Sequence, residues 1–326
     1  MRIKLSPFLQ SKFNIFLFLT FGWRLAKFYI FCFGKLYYFF NKQEKMAINK
    51  AIIDVIGRLN REHDVKDVSK KVFTGIFSHY YEKMFIAFEE KEKATSFLNR
   101  NISSGDLSVI RRCLSKGNGV ILITGHYGAI EYIPTLLAVN GFDISMIAKF
   151  KTEQLKKKIF SQAEKYNIRM IDAENTGNVL KKAINEIRQN RILITQCDEI
   201  EEWRPSERKK TSFLGKVTGL DRTINIIQRR TGAEVVFGVI HRFNLNEYKL
   251  IMYSFEDMSR MLNLVSQLSV GETVLKVLEQ FIYYYPEQWY QWKKYPEIDK
   301  RSTAGSTTVE RPKASVFLRP VFGKVL

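Results

Sequence analysis

The sequence contains little cysteine and lacks several motifs that would identify a common reaction class. Cys32, Cys113 and Cys197 are the three cysteines among 326 residues, and they lie far apart. An odd and dispersed set argues against a disulfide framework and against a cysteine-built zinc site, and it favours a reducing compartment. The sequence also has no P-loop, no G-x-G-x-x-G and no G-x-S-x-G. It therefore predicts no phosphate-cradling loop, no dinucleotide fingerprint and no nucleophile elbow.

Acidic residues are scarce relative to basic ones. The chain has 33 Asp and Glu residues against 52 Lys and Arg residues, which gives a net charge of +19. A surplus of this size concentrates anionic partners at the surface, so nucleic acid, an anionic membrane and an acidic carrier protein all fit. General disorder is excluded, because 45% of the residues are apolar and 13% are aromatic, which is enough for a packed core.

Residues 13–40 form a strongly apolar and aromatic segment. Their charges are Arg24, Lys27 and Lys35, and the longest uncharged run ends at Trp23. That run is shorter than the roughly 20 apolar residues that a spanning helix needs. On a helix the three cations lie within an arc of about 80°, which favours a helix in the membrane interface with its cations at the lipid headgroups. A spanning helix and a buried core helix are the alternatives.

Short apolar runs alternate with helical stretches in the rest of the chain. Such runs, rich in β-branched residues, are typical of buried strands, and their alternation with helices is typical of an α/β layer fold. The sequence therefore predicts a mixed, largely parallel central sheet flanked by helices, with a helical membrane-attaching region at the amino terminus. The predicted strands are 120–124, 144–148, 168–171, 192–195 and 235–240, with a further strand at one edge over 248–253. The predicted helical stretches are 46–100, 130–139, 153–166, 179–189, 220–230 and 271–284.

We expect three parts along the chain. Residues 1–45 are the membrane-attaching segment and residues 46–300 form a single α/β domain. Residues 301–326 carry Ser, Thr, Gly and two prolines without a sustained period, which predicts a loosely ordered tail with no catalytic role.

The segment Thr124-Gly-His-Tyr-Gly-Ala-Ile-Glu131 lies where a predicted strand ends and a helix begins. On one continuous helix His126 and Glu131 would lie about 140° apart, so we expect His126 in a glycine-flanked turn and Glu131 in the first helical turn. A carboxylate on one imidazole nitrogen fixes the tautomer and leaves the other nitrogen free to accept a proton. The pair is therefore predicted to be a general base that acts on a substrate hydroxyl. The alternative is structural, with His126 capping the helix and Glu131 favouring its positive end.

Four sequence blocks in order resemble one known family. The blocks are His126–Glu131; Phe213-Leu-Gly215 with Thr218-Gly219; Arg229–Ala233 with the VVFGVIHR that follows; and Pro286–Trp289 with Trp292 and Lys293. Together they resemble the bacterial lipid A biosynthesis acyltransferases of the lauroyl and myristoyl transferase type, within the lysophospholipid acyltransferase group. The resemblance extends from the aromatic amino terminus to about Ile298. Lys149 stands where that family usually has arginine, and Gln196 replaces the first aspartate of an acidic block in which Asp198 remains.

The resemblance implies transfer of a fatty acyl group from an acyl carrier protein or coenzyme A thioester to a glycolipid hydroxyl. His126 would remove the hydroxyl proton while Glu131 holds the imidazole, and no metal or redox cofactor is required. Attachment to anionic lipids at the cytoplasmic face of the bacterial inner membrane is also implied. A lysophospholipid, another phospholipid, a mannoside and an aminolipid are alternative acceptors. Nucleic-acid binding is the alternative from another class, but the sequence has no motif for it and nucleic acid is not an expected partner.

Further residues are predicted to contact substrate. Lys149, or a backbone N–H near the helix start, is a candidate donor to an oxyanion. Aromatic and cationic side chains after Asp198 suit an acceptor phosphate or sugar, although an ordinary basic loop is the alternative. His241 is interpreted as a strand-end histidine, and His63 and His79 are assigned no role because no acid lies at a useful spacing. The predicted substrate-binding set is Lys149, Asp198, Trp203, Arg204, Arg208, Lys209, Gly215 and Thr218.

Overall fold

A computed structural model describes residues 8–9, 11–57, 65–105, 107–149, 153–174, 177–262 and 268–299, without the side chains of residues 12, 154 and 205–208. The helices are α1 (Lys12–Phe40), α2 (Lys42–Ile56), α3 (Val65–Phe88), α4 (Lys91–Asn101), α5 (Ser108–Leu114), α6 (Ile133–Val139), α7 (Glu153–Lys165), α8 (Val179–Arg188), α9 (Thr223–Thr231), α10 (Phe255–Met261) and α11 (Val270–Tyr284). The strands are β1 (Ile102–Ser103), β2 (Val120–Thr124), β3 (Ile144–Ala148), β4 (Arg169–Asp172), β5 (Ile192–Gln196), β6 (Pro205–Phe213), β7 (Lys216–Asp221), β8 (Glu234–Asn244) and β9 (Glu247–Ser254). Short 3₁₀ turns occur at Ile130–Tyr132, Ile200–Glu202, Pro286–Gln288 and Trp292–Glu297.

Within the described residues, one sheet contains seven strands in the order β1-β9-β8-β2-β5-β3-β4. The central strand β2 is parallel to both of its neighbours, β5 and β8, and β3 pairs in parallel with β5 and with β4. The strands β8 and β9 are antiparallel. Because Thr124 at the end of β2 lies opposite Gln196 at the end of β5, the loops that follow these strands emerge side by side. This is the edge at which α/β sheets usually carry their sites.

Two apolar cores cover the two faces of the sheet. The side chains of β2 alternate between them, since successive residues of a strand point to opposite faces. Ile121 and Ile123 belong to the core that includes α11, whereas Val120 and Leu122 belong to the core that includes α6. The predicted fold class, a mixed and largely parallel sheet flanked by helices, is confirmed.

The predicted strands correspond to β2, β3, β4, β5, β8 and β9, but their surroundings differ in two places. The strand predicted at one edge is β9, and it lies one position inside because the two-residue β1 pairs with it. A hairpin of β6 and β7 occupies residues 205–221, and its end overlaps the start of the predicted helical stretch 220–230. The sequence did not predict this hairpin, because β6 is largely charged and polar and lacks the apolar pattern of a buried strand. Leu214 and Gly215 both have positive φ, which is typical of a two-residue hairpin turn.

The amino-terminal helices differ in detail from the predicted pattern. The long helix α1 is interrupted at Gly22, where φ is 79° and ψ is 170°. By length and composition, residues 13–40 could cross a membrane. Within their most apolar stretch of 18 residues, 22% is buried inside the protein. The predicted helical stretch 46–100 contains all of α3 and most of α2 and α4. The predicted tail, residues 301–326, lies outside the described residues.

Candidate active site

The turn that carries His126 follows β2 and is held by backbone hydrogen bonds on both sides. Gly128 N donates to Gln288 O at 2.9 Å, and Tyr290 N donates to His126 O at 3.2 Å. Gly128 has a φ of 55°, and a Cβ at this position would collide with the Ile240 carbonyl. Only glycine therefore lets the turn approach β8 this closely. The segment Pro286–Trp289, which the sequence singled out, pairs with this turn and fixes it.

Asp198 is the hydrogen-bond partner of the His126 imidazole. The Nδ1 atom of His126 lies 2.9 Å from Asp198 Oδ1, and because a carboxylate only accepts, Nδ1 carries the proton. The same carboxylate accepts the backbone N–H of His126 at 2.9 Å and the Trp289 indole N–H at 2.8 Å. The Asp198 side chain is fully buried, so these bonds are shielded from water and hold the imidazole in one orientation.

His126 and Asp198 shift each other's pKa in opposite directions. Burial lowers the pKa of His126, but the charge and hydrogen bond of Asp198 more than offset it, so the pKa lies above its usual 6.5. Burial raises the pKa of Asp198, and the same pair with His126, together with the Trp289 hydrogen bond, brings it below its usual 3.8. The structure therefore favours an ionised Asp198 that makes His126 a stronger base.

The second imidazole nitrogen of His126 lies beside a partly exposed carboxylate. His126 Nε2 lies 3.3 Å from Glu199 Oε2, and the Glu199 side chain is 39% exposed. Both carboxylates come from the loop after β5, which lies beside β2 in the sheet. The arrangement can take a proton at Nε2 and stabilise the resulting imidazolium on both sides.

Glu131 does not hydrogen-bond His126, and the expected contact between its carboxylate and the imidazole is wrong. The Glu131 carboxylate lies 3.2 Å from Lys83 Nζ and 3.8 Å from His79 Nδ1, both on α3. The chain after the turn enters a 3₁₀ turn at Ile130–Tyr132, and this directs Glu131 towards α3 instead of back over His126. Its catalytic role stays a prediction.

An aromatic ring connects Glu131 to His126 indirectly. Tyr290 stacks on His79 with ring centroids 3.8 Å apart and meets His126 edge-on at 5.4 Å. The sequence assigned no role to His79, because its acidic partner Glu131 is close in space and distant in the chain. His63 lies outside the described residues.

The profile of the bacterial lipid A biosynthesis acyltransferase family matches residues 13–294. This range includes α1, the whole sheet, the His126 turn and the Pro286–Trp289 segment. The chain belongs to this family. It is an acyltransferase of the lipid A type that acts on a lipid acceptor. No curated protein matches the chain.

A buried ion pair braces the active-site turn of this acyltransferase. Arg242 on β8 donates to Glu82 Oε2 at 2.6 Å and to the Gly128 carbonyl at 2.7 Å through the same Nη2 atom. Glu82 on α3 is fully buried, so loss of either partner would leave an uncompensated charge in the core. The pair links α3, β8 and the turn. It therefore fixes the position of α3, which carries His79, relative to the turn that carries His126.

The predicted substrate-binding residues do not all lie at His126. Lys149 is half exposed and pairs with Glu202 at 2.8 Å and Glu174 at 3.5 Å. Trp203 is buried and donates its indole N–H to the Cys197 carbonyl at 3.1 Å. Its ring lies 6.4 Å from Phe213, which in turn meets Trp289 edge-on at 6.1 Å. Trp203 therefore supports the wall behind Asp198, while Lys149 lies at the surface.

The remaining predicted residues belong to the β6–β7 hairpin and its approach. Arg204 is exposed, and its backbone N–H donates to Asp221 at 2.9 Å. Lys209 lies 3.5 Å from Glu272, while the Arg208 side chain is outside the described residues. Gly215 forms the hairpin turn, and Thr218 is fully buried on β7. None of the described side chains among them shows a contact to His126, and the roles of all these residues towards substrate stay predictions.

Among the described residues, no group of three His, Cys, Asp or Glu side chains is arranged to hold a metal ion. The chemistry that the described site offers is proton transfer at His126. The sequence predicted Asp198 as a substrate contact and not as the partner of His126. The pairing of strands could have indicated the partner, because Asp198 follows β5 and His126 follows β2, and these two strands are neighbours in the sheet.

Proposed function

We propose that this acyltransferase moves a fatty acyl group from an acyl carrier protein or coenzyme A thioester to a hydroxyl of a glycolipid, with His126 as the general base. The observation that carries the proposal is the bond of 2.9 Å between His126 Nδ1 and the buried Asp198. It holds the tautomer whose Nε2, next to Glu199, can accept a proton. Family membership supports the acyl chemistry and the lipid acceptor.

In the proposed reaction Glu199 moves aside and the acceptor hydroxyl binds at His126 Nε2. The hydroxyl oxygen attacks the thioester carbonyl as its proton passes to Nε2, and Asp198 stabilises the imidazolium. The tetrahedral intermediate then collapses, the carbon–sulfur bond breaks, and the thiolate takes the proton from His126. An ester and a free thiol are released, and the base is regenerated without a cofactor.

The oxyanion of the tetrahedral intermediate needs hydrogen-bond donors. The backbone N–H groups of residues 126–129 already donate to Asp198, Gly125, Gln288 and Ile240, so in this conformation they offer none. Lys149 is the remaining predicted donor, and it would have to leave Glu202 to reach the intermediate. We propose this exchange of partners for Lys149 as part of substrate binding.

Transfer of a radiolabelled acyl chain by the purified full-length protein tests the proposal. Acyl carrier protein and coenzyme A thioesters serve as donors, and the acceptors are a lipid A precursor, a lysophospholipid, a mannoside and an aminolipid. We expect transfer to the glycolipid and its loss in His126→Gln, whereas Glu256→Gln, an exposed change on α10, retains it. Wild-type transfer by a folded His126→Gln protein would refute the mechanism, and transfer only to a non-glycolipid would refute the acceptor.

A further inference from the structure

The amino-terminal segment is not one long helix but a folded-back pair of helices. We call residues 8–9 and 11–40 the amino-terminal hairpin, with a first leg at 12–21 and a second leg at 23–40. The backbone of Gly22, at φ 79° and ψ 170°, lies in a region that is essentially restricted to glycine. The turn between the two legs is therefore encoded by this glycine.

Contacts between the legs show that they are antiparallel. Tyr29 Oη donates to Asn14 Oδ1 at 2.6 Å, and the rings of Phe8 and Phe33 have centroids 5.3 Å apart. In a straight helix, Asn14 and Tyr29 would be separated by about 22 Å along the axis. The first leg therefore lies back along the second.

One side of the second leg is packed on the catalytic domain. Trp23 meets Phe85 at 5.2 Å, Phe31 meets Phe77 at 5.7 Å and Tyr38 meets Phe73 at 4.6 Å, all as edge-to-face ring pairs with α3. These contacts cover about 22 Å of the leg. The helix α3 also supplies Glu82 and Lys83 to the region of the active site. The second leg cannot cross a bilayer without taking α3 and its charges with it.

The outward side of the amino-terminal hairpin is apolar and exposed. Six of its phenylalanines are 60–74% exposed, namely Phe13, Phe16, Phe21, Phe28, Phe39 and Phe40. The exposed cations Arg24, Lys27 and Lys35 lie on the same leg as Phe28, and the first acidic residue of the chain is Glu44. Exposed aromatic rings beside cations, with no acid among them, match the acyl region and headgroups of an anionic membrane.

Length and packing both argue against a spanning leg. The first leg is about 15 Å long, too short for a hydrocarbon core of about 30 Å, and the second, about 27 Å long, is held along α3 by its ring contacts. We propose that the amino-terminal hairpin inserts into one leaflet of an anionic membrane, with both of its ends on the side of the catalytic domain. This inference rests on the membrane attachment predicted from the sequence and adds its topology. It also places α3, and with it the Glu131 side of the active site, next to the lipid surface.

Labelling from one side of the membrane tests the topology. Single cysteines are introduced by Ser11→Cys or Lys42→Cys in a Cys32→Ser background, where the remaining cysteines, Cys113 and Cys197, are buried. The full-length protein is added to preformed vesicles of phosphatidylcholine and phosphatidylglycerol and treated with a membrane-impermeant maleimide. We expect both positions to react fully before detergent is added. A spanning segment would protect one of them until detergent is added, which would overturn the proposal.

Cross-linking tests the hairpin itself in the same vesicles. Phe8→Cys with Phe33→Cys should form a cross-link with a short bifunctional maleimide, because these side chains meet in the antiparallel pair. Phe8→Cys with Phe40→Cys is the matched control and should not react, because Phe40 lies at the far end of the second leg. In one straight helix residues 8 and 33 would be about 37 Å apart, so failure of the first pair to cross-link in vesicles would overturn the hairpin.

Vesicle flotation tests the exposed surface. The variant that combines Phe16→Gln, Phe28→Gln and Phe39→Gln should bind vesicles at least about tenfold more weakly than the wild type. The matched control combines Met46→Gln, Ile53→Gln and Phe243→Gln, exposed apolar residues outside the hairpin, and should bind normally. Equal binding by the two variants would overturn the assigned surface. These three readouts need no acyl transfer, so an inactive enzyme with the expected topology would refute the proposed function alone.

Discussion

His126, in the turn after β2, and His241, on the neighbouring strand β8, are both buried, yet their surroundings differ. His126 donates to a buried carboxylate, whereas His241 Nδ1 lies 2.8 Å from the hydroxyl of Tyr127. The pKa of His126 is raised above 6.5 by Asp198 despite burial. Burial, with repulsion from Arg242 and Lys249, lowers the pKa of His241 to about 4. Burial alone therefore makes a histidine a weaker base, and the carboxylate reverses this effect.

The two histidines also differ in the side chains next to them. His126 Nε2 lies 3.3 Å from Glu199, whose side chain is 39% exposed. His241 is enclosed by rings, with Phe243 at 4.9 Å and Tyr285 at 4.7 Å. A base needs a proton acceptor that substrate can reach and a partner that stabilises its charged form. The His126 region has a buried carboxylate partner and a partly exposed neighbour, and the His241 region has neither, which supports the interpretation of His241 as a structural residue.

Removing the carboxylate from His126 should have the largest effect. Asp198→Asn retains the shape but not the charge, so the tautomer and the imidazolium lose their stabilisation, and we expect kcat to fall about a thousandfold. The pKa of His126 should fall as well, which shifts the acid limb of the kcat/KM profile to lower pH. Rates across pH for Asp198→Asn and for Glu256→Gln as control measure both effects. A rate near that of the wild type would show that catalysis does not depend on the Asp198 carboxylate.

The neutral state of His241 should make the protein less stable in acid. Its pKa of about 4 in the folded state lies below the usual 6.5, so the unfolded chain binds the proton first as the pH falls. The stabilising contribution is complete above pH 6.5 and should decrease by on the order of 3 kcal/mol by pH 4. Urea unfolding of the wild type and His241→Asn across this range measures the difference. Parallel pH curves for the two proteins would contradict the assignment.

His126 should change the stability with the opposite sign. Its pKa is raised in the folded state, so its contribution is complete below pH 6.5 and is lost as the pH rises through the folded value. Above pH 6.5 the free energy of unfolding of the wild type and of His241→Asn should therefore decrease as the pH rises. In His126→Gln this decrease should be absent. The same urea series, extended above pH 6.5, shows whether the two histidines separate in this way.

Glu131→Gln should have a smaller effect than Asp198→Asn. Its charge acts on Lys83 and His79, and it reaches His126 only through the Tyr290 ring. We expect kcat to fall about tenfold, a change of about 1.4 kcal/mol, with the acid limb of the pH profile unmoved. A shift of that limb as large as in Asp198→Asn would show that Glu131 contacts His126 during catalysis, as the sequence first suggested.

The sequence predicted the layers of this fold well because its strands carry an unambiguous pattern. Val120–Thr124 and Ile144–Ala148 were located to the residue, since continuous β-branched runs have few other stable structures in an α/β protein. The β6–β7 hairpin was missed because its pairing depends on a turn at Leu214 and Gly215 and not on apolar alternation. The break at Gly22 was missed because one glycine in a helical pattern is usually tolerated.

The site was predicted only in part, because some of its contacts join residues that are far apart in the sequence. His126 was found from its place between a strand and a helix, which is local information. Its partner Asp198 is 72 residues away, and only the pairing of β2 with β5 brings the two together. Glu131 was favoured because it is close in the chain, although the 3₁₀ turn directs it elsewhere. Proximity in sequence was a poor guide to which carboxylate meets the imidazole.

The smallest effect on activity should come from removing the Tyr127 hydroxyl, which bonds His241. Burial raises the pKa of Tyr127 well above 10, so its hydroxyl stays protonated and can donate to His241. Tyr127→Phe removes this bond and leaves a buried acceptor unpaired, which should lower the free energy of unfolding by about 1 to 2 kcal/mol. Because the bond lies away from Nε2 of His126, kcat should change by less than about twofold. A loss of activity without a loss of stability would mean that the two histidines are coupled through Tyr127, and the division between a catalytic and a structural histidine would fail.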